Sequence, residues 1–399
     1  MKFSKLSQLF LVSIIGLVVA SLLTACQIVT IDYLFVASST GIATFDVDSE
    51  SGAIRTGQPT VPAGGTNPVA MAVSSDYANL YVANEGSNSV VHFSIAGNGV
   101  LTNKDNVTTA TPPVALTVNT ATSYLYVVSG TNSATLTAYS LSSGAIGSPA
   151  ATVPLTLGSV SASFASDTLI PTGVNVLANG GGVFVTAYDQ SAYNPGGSVS
   201  STANPGWIFG FTVGSGGALT PAAGSPWKAG IKPTAIASDP TDRFVYVTDF
   251  ASNEMIGYGV QSGDVLDFMV NGPFKTGNEP SAIAIDPRGL YIYVANSLDS
   301  SVSSYVISLS TGTPSAAVNT TGSSINATDT QPDAILVEPA LGRFVYTANH
   351  LGNSVSGFLL NSTTGTIKGT LSAPYPTGDA PTALASVPHG NHSTQSVTP

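Results

Sequence analysis

The sequence predicts an all-β fold in which one four-stranded antiparallel unit is repeated around a closed ring. The first observation is a hairpin over residues 280–296, where apolar runs at 282–285 and 290–294 flank the turn Asp-Pro-Arg-Gly at 286–289. Proline at the second turn position presets φ, glycine tolerates the reversal, and β-branched and aromatic residues favour strands. The second observation is that this hairpin recurs along the chain, which indicates a repeat array.

Each repeat contains a proline that opens the first strand and an aromatic residue in the second strand. The anchor prolines are Pro68, Pro113, Pro171, Pro233, Pro280, Pro332 and Pro381, and the aromatics are Tyr81, Tyr126, Phe184, Tyr246, Tyr293 and Tyr346. The aromatic follows the proline by 13 residues in five units and by 14 in the unit of Pro332, whereas the length of the whole unit varies. A constant hairpin, a third strand and a weaker fourth segment are typical of a propeller blade.

The two ends of the chain decide the number of blades. Residues 33–37 supply a second strand with no anchor proline before it, and residues 381–386 supply an anchor and a first strand only. Together they complete one blade, which with six complete units predicts a seven-bladed β-propeller closed by pairing of the N-terminal and C-terminal strands. This pairing removes the open sheet edge that favours aggregation. We expect the propeller over residues 33–388 and a disordered tail over 389–399.

The N-terminal segment is typical of an export signal. Lys2 and Lys5 precede an apolar run at residues 9–23 that is short for a membrane span, and Leu-Thr-Ala-Cys at 23–26 resembles the bacterial lipoprotein box. Cys26 is the only cysteine of the chain, so an internal disulfide is impossible. We expect a signal peptide at 1–25, a lipidated Cys26, a tether at 26–32, and a protein exported to the bacterial cell envelope with the membrane as its partner. The alternative is an ordinary signal peptide with a chance cysteine.

Composition restricts the possible partners. Without residues 1–25 the chain keeps 9 Lys and Arg against 22 Asp and Glu, a formal charge of −13. An acidic surface without basic clusters disfavours a nucleic-acid partner. The sequence shows neither a Ser-His-Asp or Cys-His pattern nor a zinc-ligand cluster, so it predicts no metal and no cofactor.

The end of the second strand carries a recognisable motif. Tyr-Val-Ala-Asn at residues 81–84 is followed by Ser-Asn-Ser-Val at 87–90, and Ala-Asn at 348–349 by Gly-Asn-Ser-Val at 352–355. This pattern resembles the YVTN repeat and, over residues 33–388, the seven-bladed lactonase family with its 6-phosphogluconolactonase-like enzymes. The resemblance implies the propeller fold, but the shared motif is the blade scaffold and not an active site. Active members of the family use histidine and arginine at the mouth of the channel, with a carboxylate nearby.

Candidate ligand-binding residues lie where the first strands begin and the second strands end, because both positions open on one face of a propeller. The candidates at these positions are Lys232, Thr234, Glu279, Ser281, Gln331, Asp333 and His350. His350 is the only histidine expected on this face, where it could serve as a general base or, alternatively, be a solvated loop residue. The sequence departs from the family pattern because an aspartate, Asp333, follows its anchor where arginine is expected.

The fourth blade carries an insertion over residues 188–207, between its second and third strands. We expect this loop to project over the channel mouth. Tyr188, Tyr193 and Trp207 could stack on a sugar ring or a partner, with Asp189 and Asn194 as hydrogen-bonding groups. The alternative is a polar loop whose aromatic residues pack at its base.

Together these patterns predict a non-catalytic envelope propeller that binds a glycan, a small molecule or a protein at its mouth, with no catalytic residue assigned. The alternatives are a lactone hydrolase of the 6-phosphogluconolactonase-like type with an atypical active site, and a purely structural envelope component. A histidine or arginine beside a carboxylate would favour the hydrolase, whereas a ring of Thr, Ser and Asn would favour binding. A sugar-phosphate substrate would require several Arg or Lys side chains at the mouth, where only Lys232 is evident.

Overall fold

The computed structural model describes residues 29–121, 123–158, 160–161, 168–197 and 204–390. The predicted signal peptide, Cys26 and residues 391–399 of the predicted tail lie outside these ranges. The described helical elements are short 3₁₀ turns, among them Glu85–Ser87 and Ser215–Gly217. No described helix has the length and apolar character that crossing a membrane requires.

Seven antiparallel sheets form the seven blades, each ordered from an inner first strand to an outer fourth strand. Blade 1 contains β1 (Thr30–Ser38), β2 (Gly41–Asp48), β3 (Ile54–Val61) and the C-terminal strand β32 (Ala383–Pro388). Blades 2 and 3 contain β4 (Pro68–Val73), β5 (Asn79–Asn84), β6 (Ser89–Ile95), β7 (Leu101–Thr108), β8 (Pro113–Val118), β9 (Tyr124–Ser129), β10 (Thr135–Ser142) and β11 (Ala145–Pro154).

In blades 4 to 7 the outer strand is interrupted, so two short strands pair with the third strand. Blades 4 and 5 contain β12 (Leu169–Val176), β13 (Gly182–Asp189), β14 (Gly206–Val213), β15 (Leu219–Pro221), β16 (Trp227–Lys228), β17 (Pro233–Ser238), β18 (Phe244–Asp249), β19 (Glu254–Gln261), β20 (Val265–Phe268) and β21 (Phe274–Lys275). Blades 6 and 7 contain β22 (Pro280–Ile285), β23 (Tyr291–Asn296), β24 (Ser301–Ile307), β25 (Pro314–Ala316), β26 (Ile325–Ala327), β27 (Pro332–Val337), β28 (Phe344–Asn349), β29 (Ser354–Leu360), β30 (Ile367–Gly369) and β31 (Tyr375–Pro376).

The ring is closed as the sequence predicts. β1 pairs antiparallel with β32, from Asp32 opposite Pro388 to Ala37 opposite Ala383. The inner strands contact one another in the order β32, β4, β8, β12, β17, β22, β27 and back to β32. β1 begins at Thr30, three residues before the predicted start, because Thr30 pairs with Asp48 of β2. The seven-bladed propeller and its closure by the two terminal strands are therefore confirmed.

The core consists of seven apolar clusters, one at each contact between neighbouring blades. One such cluster joins Leu34 and Val36 of blade 1 to Phe344 and Val355 of blade 7. Another joins Tyr293 of blade 6 to Val345 and other residues of blade 7. Stability therefore depends on blade-to-blade packing rather than on one central core, in keeping with a closed repeat.

In blades 2, 5, 6 and 7 the repeated second-strand tyrosine connects the blade to the next. Its hydroxyl donates to the carbonyl of a glycine in the turn between the third and outer strands of the following blade. The pairs are Tyr81 with Gly144 at 2.7 Å, Tyr246 with Gly312 at 2.5 Å, Tyr293 with Gly365 at 2.8 Å and Tyr346 with Gly52 at 2.8 Å. These four glycines have positive φ angles between 66° and 85°, which L side chains rarely adopt. The constant tyrosine and the turn glycine are thus two halves of one contact.

The turn between the first and second strands is held by a carboxylate. In blade 6, Asp286 Oδ1 accepts the backbone N–H groups of Leu290 at 2.7 Å and Tyr291 at 2.8 Å. Arg288 Nε lies 2.6 Å from Asp286 Oδ2. Since this turn lies at the end of the first strand, its arginine is placed at the end of the ring opposite to the start of that strand.

Candidate functional site

One end of the ring, which we call the mouth, carries the starts of the first strands and the ends of the second strands. A repeated backbone contact holds these two positions together, because the residue after the second strand donates its N–H to the carbonyl of the residue before the anchor proline. The pairs are Glu85 with Asn67 at 2.9 Å, Phe250 with Lys232 at 3.0 Å, Ser297 with Glu279 at 2.9 Å and His350 with Gln331 at 2.7 Å. The sequence candidates at these positions are therefore neighbours at the mouth.

An asparagine just before the third strand supports the mouth from the neighbouring blade. Asn253 and Asn353 have left-handed φ angles of 57° and 49°, a conformation that asparagine tolerates better than most residues. Asn253 Oδ1 accepts the N–H of Glu279 at 2.8 Å, and Asn353 Oδ1 accepts that of Ala380 at 2.8 Å. This asparagine therefore fixes the entry to the next first strand.

The residue after the anchor proline is a β-bulge in blades 2 to 7, where the strand pairing shifts by one residue. A bulge redirects its side chain out of the strand alternation. The hydroxyls of Thr234, Ser281 and Thr382 accordingly donate to the anchor carbonyl of the next blade, at 2.7, 2.6 and 2.6 Å. Thr234 and Ser281, predicted to bind a ligand, thus already use their proton in contacts between blades.

Blade 7 differs from blades 1, 5 and 6, because Asp333 occupies the position of the hydroxyl residue. An ionised carboxylate has no proton to donate, so Asp333 instead accepts a hydrogen bond from Ser297 Oγ of blade 6 at 3.2 Å. Gln331 Nε2 lies 3.5 Å from its other oxygen. Burial raises the pKa of Asp333, while Ser297 and a charged His350 act in the opposite direction. A half-buried carboxylate where three other blades have a structural hydroxyl is the kind of local exception expected at a functional site.

His350 lies beside this carboxylate. Its Nδ1 is 3.9 Å from Asp333 Oδ2, and this nitrogen is buried without a hydrogen-bond partner. The distance exceeds that of a hydrogen bond, but catalytic pairs are often long in the absence of substrate. The side chain as a whole is 33% exposed, so Nε2 is the nitrogen available at the mouth. The structure therefore joins two separately predicted candidates into one histidine–carboxylate pair.

Lys232 and Glu279 lie at the mouth in blades 5 and 6, apart from this pair. Lys232 Nζ is 4.3 Å from the centre of the Phe250 ring, and the Lys232 N–H donates to Asp249 Oδ1 at 2.9 Å. Glu279 is half-buried, with a left-handed φ of 54°. Neither side chain contacts another candidate in the described part of the chain.

The described part of the insertion of blade 4 carries an aromatic pair next to the end of β13. Tyr188 and Tyr193 lie with their ring centres 5.6 Å apart at an angle of 54°. Burial raises the pKa of Tyr193, and the charges of Asp249 and Glu279 raise it further. The described part of the loop thus brings an aromatic pair to the mouth.

Asn194 is exposed, whereas Trp207 and Asp189 lie deeper. Trp207 is 5% exposed, in the apolar cluster between blades 3 and 4, with Lys228 Nζ 3.7 Å from its ring centre. Asp189 is buried and accepts the N–H of Ser191 at 2.9 Å. A ligand would reach the Trp207 ring only if Lys228 moved, so the expected alternative, an aromatic packed at the loop base, describes its placement.

Sequence reasoning did not select Ser297 as a site residue. The available signal was its repeat position, since Ser297 follows β23 as His350 follows β28 in the next blade. The four arginines lie away from the mouth: Arg243, Arg288 and Arg343 in turns at the opposite end, and Arg55 in outer strand β3. Among the described residues, no three His, Cys, Asp or Glu side chains could together hold a metal ion.

The comparisons with known proteins agree with this architecture. The sequence matches the family described as "Lactonase, 7-bladed beta-propeller" over residues 29–163 and 221–392, which is more than half of the chain. The chain belongs to this lactonase family. The unmatched segment between the two ranges contains the insertion of blade 4. A search of curated proteins gave no significant match.

Solved structures of similar fold include two proteins described as lactonases. The periplasmic gluconolactonase of Pseudomonas aeruginosa superposes with a TM-score of 0.74 at 17% identity, covering 90% of this chain and 100% of that one. A putative 6-phosphogluconolactonase from Bacteroides uniformis gives 0.71 at 18% identity, covering 90% and 100%. At these identities the likeness shows the fold alone.

Proposed function

We propose that the protein is a lactone hydrolase whose active site is the mouth around His350 and Asp333. The proposal rests mainly on one observation: His350 Nδ1 is buried without a hydrogen-bond partner, 3.9 Å from the Asp333 carboxylate. The chain also belongs to the lactonase family. A histidine beside a carboxylate is the feature that favours a hydrolase over a binding protein. The competing feature, a ring of free hydroxyls, is weakened because Thr234 and Ser281 donate to neighbouring blades.

His350 acts in this proposal as a general base through Nε2. Asp333 holds the Nδ1–H tautomer and stabilises the imidazolium that forms when Nε2 takes a proton from water. The water oxygen bonds to the lactone carbonyl carbon, the ring C–O bond breaks, and the leaving alkoxide receives the proton from Nε2. The product is one hydroxy acid, and no cofactor is needed. Active family members use an arginine at the mouth. The arginines of this chain lie elsewhere, so none takes part in the proposed mechanism.

Export and lipid anchoring are proposed from the sequence. Cys26 follows a signal-like segment, and the similarity to a periplasmic gluconolactonase supports a location outside the cytoplasm. Expression in bacteria with labelled fatty acid should label the native chain but not Cys26→Ser. A Cys26→Ser variant that stays in the membrane fraction would contradict the anchor.

The hydrolase proposal is tested with a panel of γ- and δ-lactones and the chain from residue 27 onward. A pH indicator detects release of the hydroxy acid. Asp333→Asn should lower kcat/KM by between about 10- and 10⁴-fold, because an amide cannot stabilise the imidazolium. Thr234→Val is the matched control: it changes the same bulge position in blade 5 and should leave turnover intact. No activity on any lactone, or equal losses in both variants, would refute the proposal.

A further inference from the structure

Two large apolar side chains are exposed directly beside the histidine–carboxylate pair. Leu298 follows Ser297 and is 64% exposed, and Leu351 follows His350 and is 65% exposed. Both stand two positions after the second strand, in neighbouring blades 6 and 7. The equivalent residues in blades 1, 2, 3 and 5 are small or polar: Thr40, Gly86, Thr131 and Ala251. The scaffold therefore does not require leucine at this position.

The location of the two leucines relates them to the site. The backbone N–H groups of Ser297 and His350, the residues just before them, are fixed to the carbonyls of Glu279 and Gln331. Ser297 also donates to Asp333 across the contact between the two blades. Leu298 and Leu351 are thus the chain neighbours, one in each blade, of the two side chains that approach Asp333. Single exposed leucines are common on protein surfaces, whereas contiguous exposed apolar surface beside polar residues marks ligand-binding sites.

The charges around the site favour an uncharged occupant. Asp333 is half-buried at the site, and Glu279 lies beside Ser297. Arg288 and Arg343, the arginines of these two blades, lie in turns at the opposite end of the ring. A phosphate is normally held by Arg or Lys with several charge-assisted hydrogen bonds. Lys232, in blade 5, is the described cation at the positions that form the mouth, and its ammonium is directed over Phe250.

We propose that the substrate is a lactone bearing an apolar alkyl or acyl substituent and no phosphate, with the substituent lying on Leu298 and Leu351 while the ring faces His350. This inference rests on the proposed hydrolase function and names its substrate class. The two leucines supply an apolar surface on which a chain of several methylenes loses water, and burial of each methylene favours the bound state. The polar edge formed by Asp333 and Ser297 remains for the lactone ring.

The test compares γ-lactones of increasing alkyl chain, from butyrolactone to decanolactone, with glucono-δ-lactone and its 6-phosphate. For the native chain kcat/KM should rise by about two- to threefold per methylene over the first members, as expected for partial burial. The double variant Leu298→Ser/Leu351→Ser should lose this dependence on chain length. Leu371→Ser, which changes a leucine 75% exposed at the outer rim of blade 7, is the control and should keep it.

The outcomes separate the two proposals. Hydrolysis that does not depend on chain length, a preference for the 6-phosphate, or a dependence retained by the double variant would overturn this inference and leave the hydrolase intact. If no lactone is hydrolysed, the hydrolase fails, and calorimetric binding of decanolactone against butyrolactone decides the inference. Tighter binding of the longer lactone that the double variant loses supports the apolar surface, and equal binding overturns it.

Discussion

Tyr293→Phe measures what the repeated tyrosine contributes to the ring. The Tyr293 hydroxyl donates to the Gly365 carbonyl at 2.8 Å, in a buried contact. Phenylalanine fills the same space but leaves this carbonyl without a partner inside the protein. A buried acceptor that loses its donor costs about 1–3 kcal/mol, so the free energy of unfolding should fall by this amount.

The chain offers a matched control in blade 3. Tyr126 occupies the same repeat position and is fully buried, but its hydroxyl has no hydrogen-bond partner in the described structure. Burial, with a smaller effect of Tyr124, raises the pKa of Tyr126 to about 12. Tyr126→Phe therefore leaves no acceptor unpaired, and stability should change by no more than about 0.5 kcal/mol or increase.

Urea unfolding followed by circular dichroism compares the two variants. At equal slope, the midpoint of Tyr293→Phe should fall clearly below that of the native chain, and the midpoint of Tyr126→Phe should stay close to it. Similar losses in both would mean that the substitution acts through packing, and no loss in Tyr293→Phe would mean that the blade-to-blade hydrogen bond contributes nothing. Either result would refute the stabilising role of the contact between tyrosine and turn glycine.

Three further predictions concern charge and the loop. Burial, and then the neighbouring Glu338, raise the pKa of Asp32. The folded chain therefore holds the Asp32 proton more tightly than the unfolded chain and loses stability as pH rises above the ordinary aspartate range. Asp32→Asn should stabilise the ring more at pH 8 than at pH 4, and an equal effect at both pH values would count against this prediction. Ser297→Ala removes a hydrogen bond to ionised Asp333, so the acid limb of the pH–rate profile should move to higher pH, and an unmoved limb would separate Asp333 from catalysis. Deleting residues 191–203 keeps a four-residue hairpin loop and should raise KM while the free energy of unfolding stays within about 1 kcal/mol of native. An unchanged KM would remove the insertion from the site.

The scaffold could be predicted because it depends on local rules repeated seven times. The proline-to-tyrosine spacing fixes the hairpin, and the incomplete units at the two ends allow only one closure, which the pairing of Asp32 to Ala37 with β32 confirms. The hydrogen bond of the tyrosine hydroxyl could not be predicted, because its partner glycine belongs to the next blade. Sequence spacing within one repeat carries no information on contacts of this kind.

The site could be predicted only as a set of positions. Asp333 and His350 were both candidates, but their proximity depends on the bulge that turns Asp333 out of the strand alternation, and the sequence contains no signal for a bulge. The same bulge directs Thr234 and Ser281 to neighbouring carbonyls. For Trp207 the sequence left open a ring that stacks on a ligand and a ring packed at the loop base, and its strand pairing places the ring in the core.

Lactone hydrolysis by His350→Gln and by His389→Gln tests the central claim most directly. Both changes replace one imidazole by an amide, but His389 lies at the end of the ring opposite the mouth, against Tyr33. We expect kcat/KM to fall by about 10²- to 10⁴-fold for His350→Gln and to stay near the native value for His389→Gln. Native turnover by His350→Gln in a folded chain would contradict the assignment of this histidine as the general base.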